Sequence, residues 1–405
     1  MSDDKKQLKM LAPEGFREKL SRRAFLQGGT AVAGFALIAA ACGGSDSATE
    51  TSNALASGDW SRVINQSSGT LAMYTWGDYN DPDLVGALAG STLSVSMKVD
   101  YYASNEDLIT KLAASGGSSG FDIVVPTGPY IPQMIEKGLI QKLDKSLIPN
   151  MVNVDPNYLA QDWDPTNDYS VCKNWGTTGY FYDTTKISKE LTTWQDFIDT
   201  CMGEASGNCA VIDAAPNYCG MWFWANKINW NTETPADLDA CEKFLVEEFA
   251  QHVKAFDSYP STKLAEGAYS IAMAWNGDAR QAYVRIEEAG GNPSDWKWVL
   301  GSPNTELWMD NYCVAAGAPN AEAAHAWINW DLIPEISIKD LSYHGYHTGM
   351  KNMSQLISDV APDLVDGDMI FFGDEQVATM QTQLITPALD RLIDILNKSK
   401  AKAGG

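Results

Sequence analysis

Histidine is scarce in this chain, four in 405 residues, and no Cys-x-x-Cys pair occurs. Structural zinc clusters and thioredoxin-like redox motifs therefore have no footing in the sequence. Only His344 and His347 have metal-like spacing, inside the turn-like run Tyr343-His-Gly-Tyr-His-Thr-Gly349; neither a metal nor a cofactor is expected. Positive charge is also short, with 29 Lys and Arg against 52 Asp and Glu and a net charge of −23. Setting aside residues 1–41, with seven basic and four acidic residues, leaves 22 against 48. Such a chain repels phosphate backbones, which excludes nucleic acid as a partner, and attracts cations. No segment reaches the roughly 18 consecutive apolar residues that a membrane-spanning helix needs.

Apolar and charged contents of 45% and 20% describe an ordinary globular body with room for two or three domains. It follows a distinct leader. Ser21-Arg22-Arg23-Ala24-Phe25-Leu26-Gln27 precedes the apolar run Thr30–Ala41 and then Cys42, which reads as a twin-arginine export signal. Cys42, preceded by alanines and followed by two glycines, resembles a lipoprotein cleavage and lipidation site. Residues 42–68, rich in Gly, Ser, Thr and Asn, read as a flexible tether from a lipid-anchored Cys42 at the outer face of the cytoplasmic membrane. The other six cysteines are an even number in an exported chain, which favours disulfides. Cys201 and Cys209 are separated by a loop containing Gly203 and Gly207 and are the expected first bridge.

What the chain does have is tryptophan close to aspartate, three times over: Trp76-Gly-Asp78, Trp275-Asn-Gly-Asp278 and Trp308-Met-Asp310. An indole face attracts cations and covers alkyl chains, and a carboxylate pairs with ammonium. Aromatics usually fill cores and Asp often marks turns, so one such pair says little. Three, each at the end of an apolar strand-like run, point to a pocket for a small organic cation.

Strand-like and helical segments alternate along the body. Thr70–Thr75, Leu93–Tyr102, Phe121–Val125, Tyr269–Trp275 and Trp308–Ala316 read as strands. Helices are expected after the capping sequences at Ser104–Asp107 and Thr193–Asp196, from Ile131 to Lys137, along Pro235–Phe256, and around Ile385, Leu389, Leu392 and Leu396. This order implies α/β architecture with helix-covered parallel sheets, on which ligands gather beyond the strands' carboxyl ends. Trp76, Pro126–Tyr130 and Trp275–Asp278 fall there.

With these residues in view, the chain resembles the periplasmic spermidine/putrescine-binding proteins, the solute-binding components of polyamine ABC importers. The resemblance spans most of residues 70–400 and rests on Tyr74-Thr-Trp-Gly-Asp-Tyr79, Phe121-Asp-Ile-Val-Val-Pro-Thr127, Gly138-Leu-Ile-Gln-Lys-Leu-Asp144, Asn174-Trp-Gly-Thr177, Ala274-Trp-Asn-Gly277, Trp308-Met-Asp310 and Gly345-Tyr346. It implies a two-lobed periplasmic-binding-protein fold, each lobe a mostly parallel sheet flanked by helices, with a hinge between. The lobes would comprise 69–173 plus 309–350, and 174–308 plus 351–405. By the same resemblance Trp76, Trp275 and Trp308 wall a polyamine chain, and Asp78, Asp278 and Asp310 bind its amines. Tyr79, Thr127, Tyr346 and Gln376 supply hydrogen bonds. Permease and ATPase subunits of an importer are the implied partners, and no catalysis is implied.

One departure stands out. Where the family carries a further Asp and Glu for the central or distal amine, this chain has Ala214 and Asn217, with Asp213 next to them. A shorter diamine, another cationic metabolite, a neutral sugar on the same tryptophan platforms and a secreted hydrolase with paired acids all stay open. The hydrolase has the least support, because no nucleophile motif occurs.

Overall fold

Half-burial sets the first strand. In β1 (Thr70–Trp76) the buried residues Leu71, Met73 and Thr75 alternate with less buried ones, as one covered sheet face requires. The computed structural model describes residues 70–88, 93, 95–360 and 369–404. The export signal, tether and Cys42 lie outside the described residues.

The strands are β1, β2 (Ser96–Tyr102), β3 (Ile123–Val124), β4 (Ile140–Gln141), β5 (Val171–Asp183), β6 (Cys209–Val211), β7 (Val253–Phe256), β8 (Ile271–Trp275), β9 (Trp296–Val299), β10 (Thr305–Ala315) and β11 (Met380–Gln381). The helices of six or more residues are α1 (Asn105–Ala114), α2 (Ile131–Glu136), α3 (Trp194–Met202), α4 (Ala215–Ala225), α5 (Pro235–Glu242), α6 (Asn276–Glu288), α7 (Ala321–Asp331), α8 (Pro334–His344), α9 (Met353–Val360) and α10 (Leu389–Ala403).

Among the described residues the strands form one sheet in the order β2-β1-β3-β10-β5-β8-β6-β7, with β4 and β11 on β10 and β9 on β5. Its two ends are parallel, β1 with β2 and β3, and β6 with β7 and β8. Its middle, β10 with β3 and β5, and β5 with β8, is antiparallel. Every residue of β5 is buried, as a central strand covered on both faces must be.

Four apolar clusters show where the lobes are. Leu71, Met73, Tyr312, Trp327 of α7 and Leu341 of α8 fill one face of the β2-β1-β3-β10 half, and Leu108 and Leu112 of α1 with Met134 of α2 fill the other. On the β5-β8-β6-β7 half, Phe197 of α3, Phe223 of α4 and Ile395 of α10 cover one face, and Ala282 and Ile286 of α6 the other. Side chains alternate between clusters along a strand: Tyr180 and Tyr182 face one, Phe181 the other. Each half is thus a sheet with helices on both faces. The long strand β5 runs through both, since Trp175 belongs to the first half's core and Tyr180 to the second's, and β10 pairs beside it from Leu307 to Tyr312.

Several expectations need correction. Pro235–Phe256 is no single helix: α5 passes into a wide π turn at Lys243–Phe249 and ends as β7, because its last residues complete a parallel sheet edge beside β6. Ile385 is exposed and precedes α10. The expected Cys201–Cys209 bridge is not formed, for both are free thiols. They face an apolar core, where a thiol packs as a small hydrophobe, and Cys209 donates to the His252 carbonyl at 3.2 Å. Met353, Ile357 and Ile370 pack into the first lobe's core, although the segment from 351 was expected in the second.

A buried charge cluster lies beneath the first lobe's strand ends. Lys173 Nζ meets Asp340 at 3.0 Å, donates to the Tyr79 carbonyl at 3.0 Å and sits 4.3 Å over the Tyr79 ring. Asp340 also accepts from the Asp81 backbone N–H at 2.8 Å and lies 3.4 Å from His344. Burial alone would raise Asp340, but Lys173 and His344 outweigh it and hold its carboxyl well below the usual range. We expect Lys173→Met, which leaves Asp340 buried without its cation, to lower unfolding free energy by about 3–5 kcal/mol in urea titrations, with Lys173→Met/Asp340→Leu recovering much of it. A loss below about 1 kcal/mol would mean that the pair does not fix this corner of the fold.

Candidate functional site

Four strands, with the turns that follow them, deliver most of the indoles and acids of one cavity of about 360 Å³, which residues such as Glu106, Asn217, Tyr259, Tyr346 and Gln383 complete. The first is the end of β1. The Trp76 indole N–H donates to the Val125 carbonyl at 3.1 Å, and its ring stands edge-on to Tyr102 at 4.6 Å. A turn follows in which Asp78 takes the left-handed conformation (φ 52°), reversing the chain so that Tyr79 points back and is buried.

The second is Thr127, just past β3. Its backbone N–H donates to Asn105 Oδ1 and its hydroxyl receives Asn105 Nδ2, both at 3.0 Å. That orientation leaves the hydroxyl proton for Asp310 Oδ1 at 2.7 Å, while Tyr79 donates to Asp310 Oδ2 at 2.8 Å. Both oxygens of Asp310 are therefore held, and by hydroxyls.

The third is the β8–α6 junction, where Trp275 ends the strand and Asp278 sits in the first helical turn, the end of a helix that favours negative charge. Tyr346, two residues past α8, donates to Asp278 Oδ2 at 2.6 Å and stands edge-on to Trp308 at 4.9 Å. Gly277 permits this approach, since a Cβ there would lie 2.5 Å from the Tyr346 ring.

The fourth is β10 itself, whose Glu306, Trp308 and Asp310 all face the cavity. Gly176, opposite Trp308 on β5, leaves the room that the indole occupies: a Cβ there would fall 2.5 Å from it.

Nine of the ten residues expected to bind ligand line this cavity: Trp76, Asp78, Tyr79, Thr127, Trp275, Asp278, Trp308, Asp310 and Tyr346. Asp78 is at the rim, 54% exposed and loosely paired with Arg285 at 3.5 Å. Gln376 is elsewhere: exposed, it accepts from the Gly373 N–H at 2.9 Å to cap the turn Asp374–Val377, and Gln383 lines the cavity instead. Asp213, adjacent to the two neutral positions, also lines it but is paired with Lys400 at 2.5 Å. His344 and His347 are engaged in hydrogen bonds, His347 Nδ1 accepting from Trp175 at 2.8 Å and His344 Nδ1 from the Tyr346 N–H at 2.9 Å.

Residue-by-residue reading missed Tyr259, Tyr130 with its partner Glu106 (2.8 Å), and above all Glu306. The last was legible in principle. Starting β10 at Thr305 instead of Trp308 puts Glu306 two residues before Trp308 on the same face.

Burial governs the electrostatics. Desolvation pushes Asp278 and Glu306 up to about 7 and Asp310 up to about 6, against the opposing pull of Tyr346, of Thr178 and Asn217, and of Thr127 and Tyr79 respectively. Among the described residues none of the three is in an ion pair, in contrast to Asp340 on Lys173. A carboxylate so placed is stabilised in its charged form by an arriving cation.

Two α/β lobes joined by through-running strands, with acids and indoles between them, define a solute receptor. The chain belongs to the family of bacterial extracellular solute-binding proteins, whose model matches residues 84–365. It is 32% identical over 299 residues to the spermidine/putrescine-binding periplasmic protein of Escherichia coli K12, covering 73% of this chain and 82% of that one. It is 27% identical over 329 residues to a putrescine/agmatine-binding protein of Pseudomonas aeruginosa, covering 77% and 86%. A solved Listeria monocytogenes chain, provisionally named as a spermidine/putrescine ABC transporter, superposes with a TM-score of 0.73 at 26% identity over 82% of this chain and 99% of that one. No helix of the described residues is long and apolar enough to cross a membrane.

The raised Asp278 carboxyl makes a pH prediction. Folded, it binds its proton up to about 7, unfolded only to its ordinary 3.8. The empty protein therefore gains stability from this group at low pH and loses it as pH rises from about 4 through 7. Asp278→Asn, which mimics the protonated form, should melt close to wild type near pH 4.5 and above it near pH 8, measured by differential scanning fluorimetry about these values. A difference independent of pH would show that Asp278 does not titrate in this window.

Proposed function

We propose that this protein captures a polyamine between its lobes and delivers it to the permease and ATPase of an ABC importer. Three buried carboxylates in one indole-lined cavity, braced by hydroxyls and amides instead of cations, carry this reading. Each ammonium must replace its water shell on entry, which a carboxylate with neutral neighbours can do. Methylenes lose water against Trp76, Trp275 and Trp308, and each indole adds on the order of 0.5–2 kcal/mol by cation–π attraction. The names of the relatives support the same substrate class. A neutral sugar would leave the three acids without a counter-charge, which disfavours it. The site binds without altering its cargo.

We draw the first lobe from 70–173, 309–360 and 369–377 and the second from 174–308 and 378–404, moving the α9 segment on the strength of its core contacts. The acids repel one another when the cleft is empty, so cargo favours lobe closure, a hinge motion that the permease would read. Export by the twin-arginine route and anchoring through a lipid on Cys42 complete the proposal. They rest on Arg22-Arg23, the apolar run Thr30–Ala41 and the Ala-Cys-Gly-Gly junction.

Isothermal titration calorimetry with spermidine and putrescine tests the reading. Wild type should bind at least one of them, and Asp310→Asn should weaken binding by about tenfold or more, some 1.4 kcal/mol. Heats from maltose but from neither amine would replace the polyamine with a sugar. Unchanged affinity in Asp310→Asn would remove that residue from the site.

A further inference from the structure

We infer that Glu306 is a specificity-determining carboxylate that pairs with Asp310 across Trp308 to select a triamine over a diamine. The inference deepens the polyamine reading and rests on it. Glu306, Trp308 and Asp310 line the cavity while the intervening Leu307 and Met309 do not, so the three project from one face of β10 at alternate positions. At about 3.3 Å per residue, four residues of strand set the two acid-bearing Cα atoms about 13 Å apart. By ordinary bond lengths a four-carbon diamine, five bonds from nitrogen to nitrogen, spans about 6 Å, and spermidine, nine bonds, about 11 Å. The longer molecule covers most of that distance and has an ammonium for each end with methylenes and a third ammonium between, whereas the diamine has none to spare for the acid between them.

The carboxylate is built for this. Thr178 Oγ1 and Asn217 Nδ2 both donate to Glu306 Oε2, each at 2.5 Å. Both fall on the same oxygen, and Trp275, another lining residue of the cavity, adds a side-chain hydrogen bond to the carboxylate. Asn217 Nδ2 also donates to Thr178 Oγ1 at 3.0 Å, closing a three-membered network around the acid. These neutral donors fix its direction and leave its charge unpaired among the described residues. Asn217 cannot supply that charge, so at this end of the cleft Glu306 does so. Asp278 adds the third acid, held by Tyr346, which stands against Trp308 between the two ends. Of the acids that line the cavity three are buried, one for each ammonium group of a triamine.

Glu306→Gln keeps the shape and removes the charge. Titrated calorimetrically near pH 8, it should cut the ratio of spermidine to putrescine affinity by about tenfold. It should melt no lower than wild type when empty, since it removes an unpaired buried charge. Asn217→Asp/Glu306→Gln, which exchanges acid and amide across the same hydrogen bond, should win back at least about threefold of that ratio. A ratio for Glu306→Gln within about threefold of wild type, or a larger loss for putrescine than for spermidine, overturns the inference. Wild type that binds neither amine would instead bring down the polyamine reading itself.

Discussion

Three acids held away from water, none in an ion pair among the described residues, are the constraint around which this molecule is arranged. A buried carboxylate normally finds a lysine or arginine, and Asp340 has done so with Lys173. Asp278, Glu306 and Asp310 have hydroxyls and an amide in that role. Such donors orient a carboxylate without neutralising it, so the proton affinity of all three rises toward neutrality. Replacing Tyr79 or Tyr346 by lysine would satisfy the charge and occupy the place of the cargo. An uncompensated field in a low-dielectric cleft favours the entry of a cation.

The sheet explains how groups distant in sequence reach one place. β1 is parallel to β2 and β3, and β8 to β6, and all of β1, β3 and β8 end at the cleft, delivering Trp76, Thr127 and Trp275 from their carboxyl ends. β10 instead runs antiparallel beside β5, which passes through both cores, so β10 presents its side, and with it three cavity-facing residues at alternate positions. Its register slips between Asp310 and Asn311, and an isolated bridge ties Asp310 to Thr127. Pairing with β5 resumes beyond the slip at Asn311 and Tyr312, while β3 pairs along the other edge at Cys313 and Val314, so Asp310 sits at an irregular point between two ladders. The Lys173 cluster backs the same corner from below: its ammonium holds the Tyr79 carbonyl, and Tyr79 holds Asp310.

Much of this was legible in the sequence, and what was not has identifiable causes. Strand and helix starts with strong local signals came through: Thr193 and Asp196 form the reciprocal cap, and Ser104 accepts from the Asp107 N–H at 3.1 Å. The pairing of tryptophan with aspartate identified three of the cavity's anchors because both residues of each pair sit on one strand end or turn. Gln376 was misplaced because it lies in a short turn whose cap uses its side chain locally, where no periodicity fixes which way a residue faces. The Pro235–Phe256 helix failed for a tertiary reason, the demand of β6 for a parallel neighbour, which overrides local propensity. An even count and a convenient loop favour a Cys201–Cys209 bridge, and neither signal sees that an apolar core accepts free thiols.

Glu306 illustrates the deeper limit of reading motifs. Sequence comparison looks for an acid where related chains have one and registers its loss at Ala214 and Asn217. A cavity does not distinguish which element supplies a charge. Asn217 on α4 and Glu306 on β10 touch at 2.5 Å although 89 residues separate them, so the carboxylate can sit on either side of that hydrogen bond with little change in where negative charge meets the cargo. What selection must preserve is the field at the end of the cleft and the donors that orient it. A neutral residue at an expected acidic position therefore argues for loss of a charge only after every side chain within hydrogen-bond reach has been examined, and here the first neighbour reverses the conclusion.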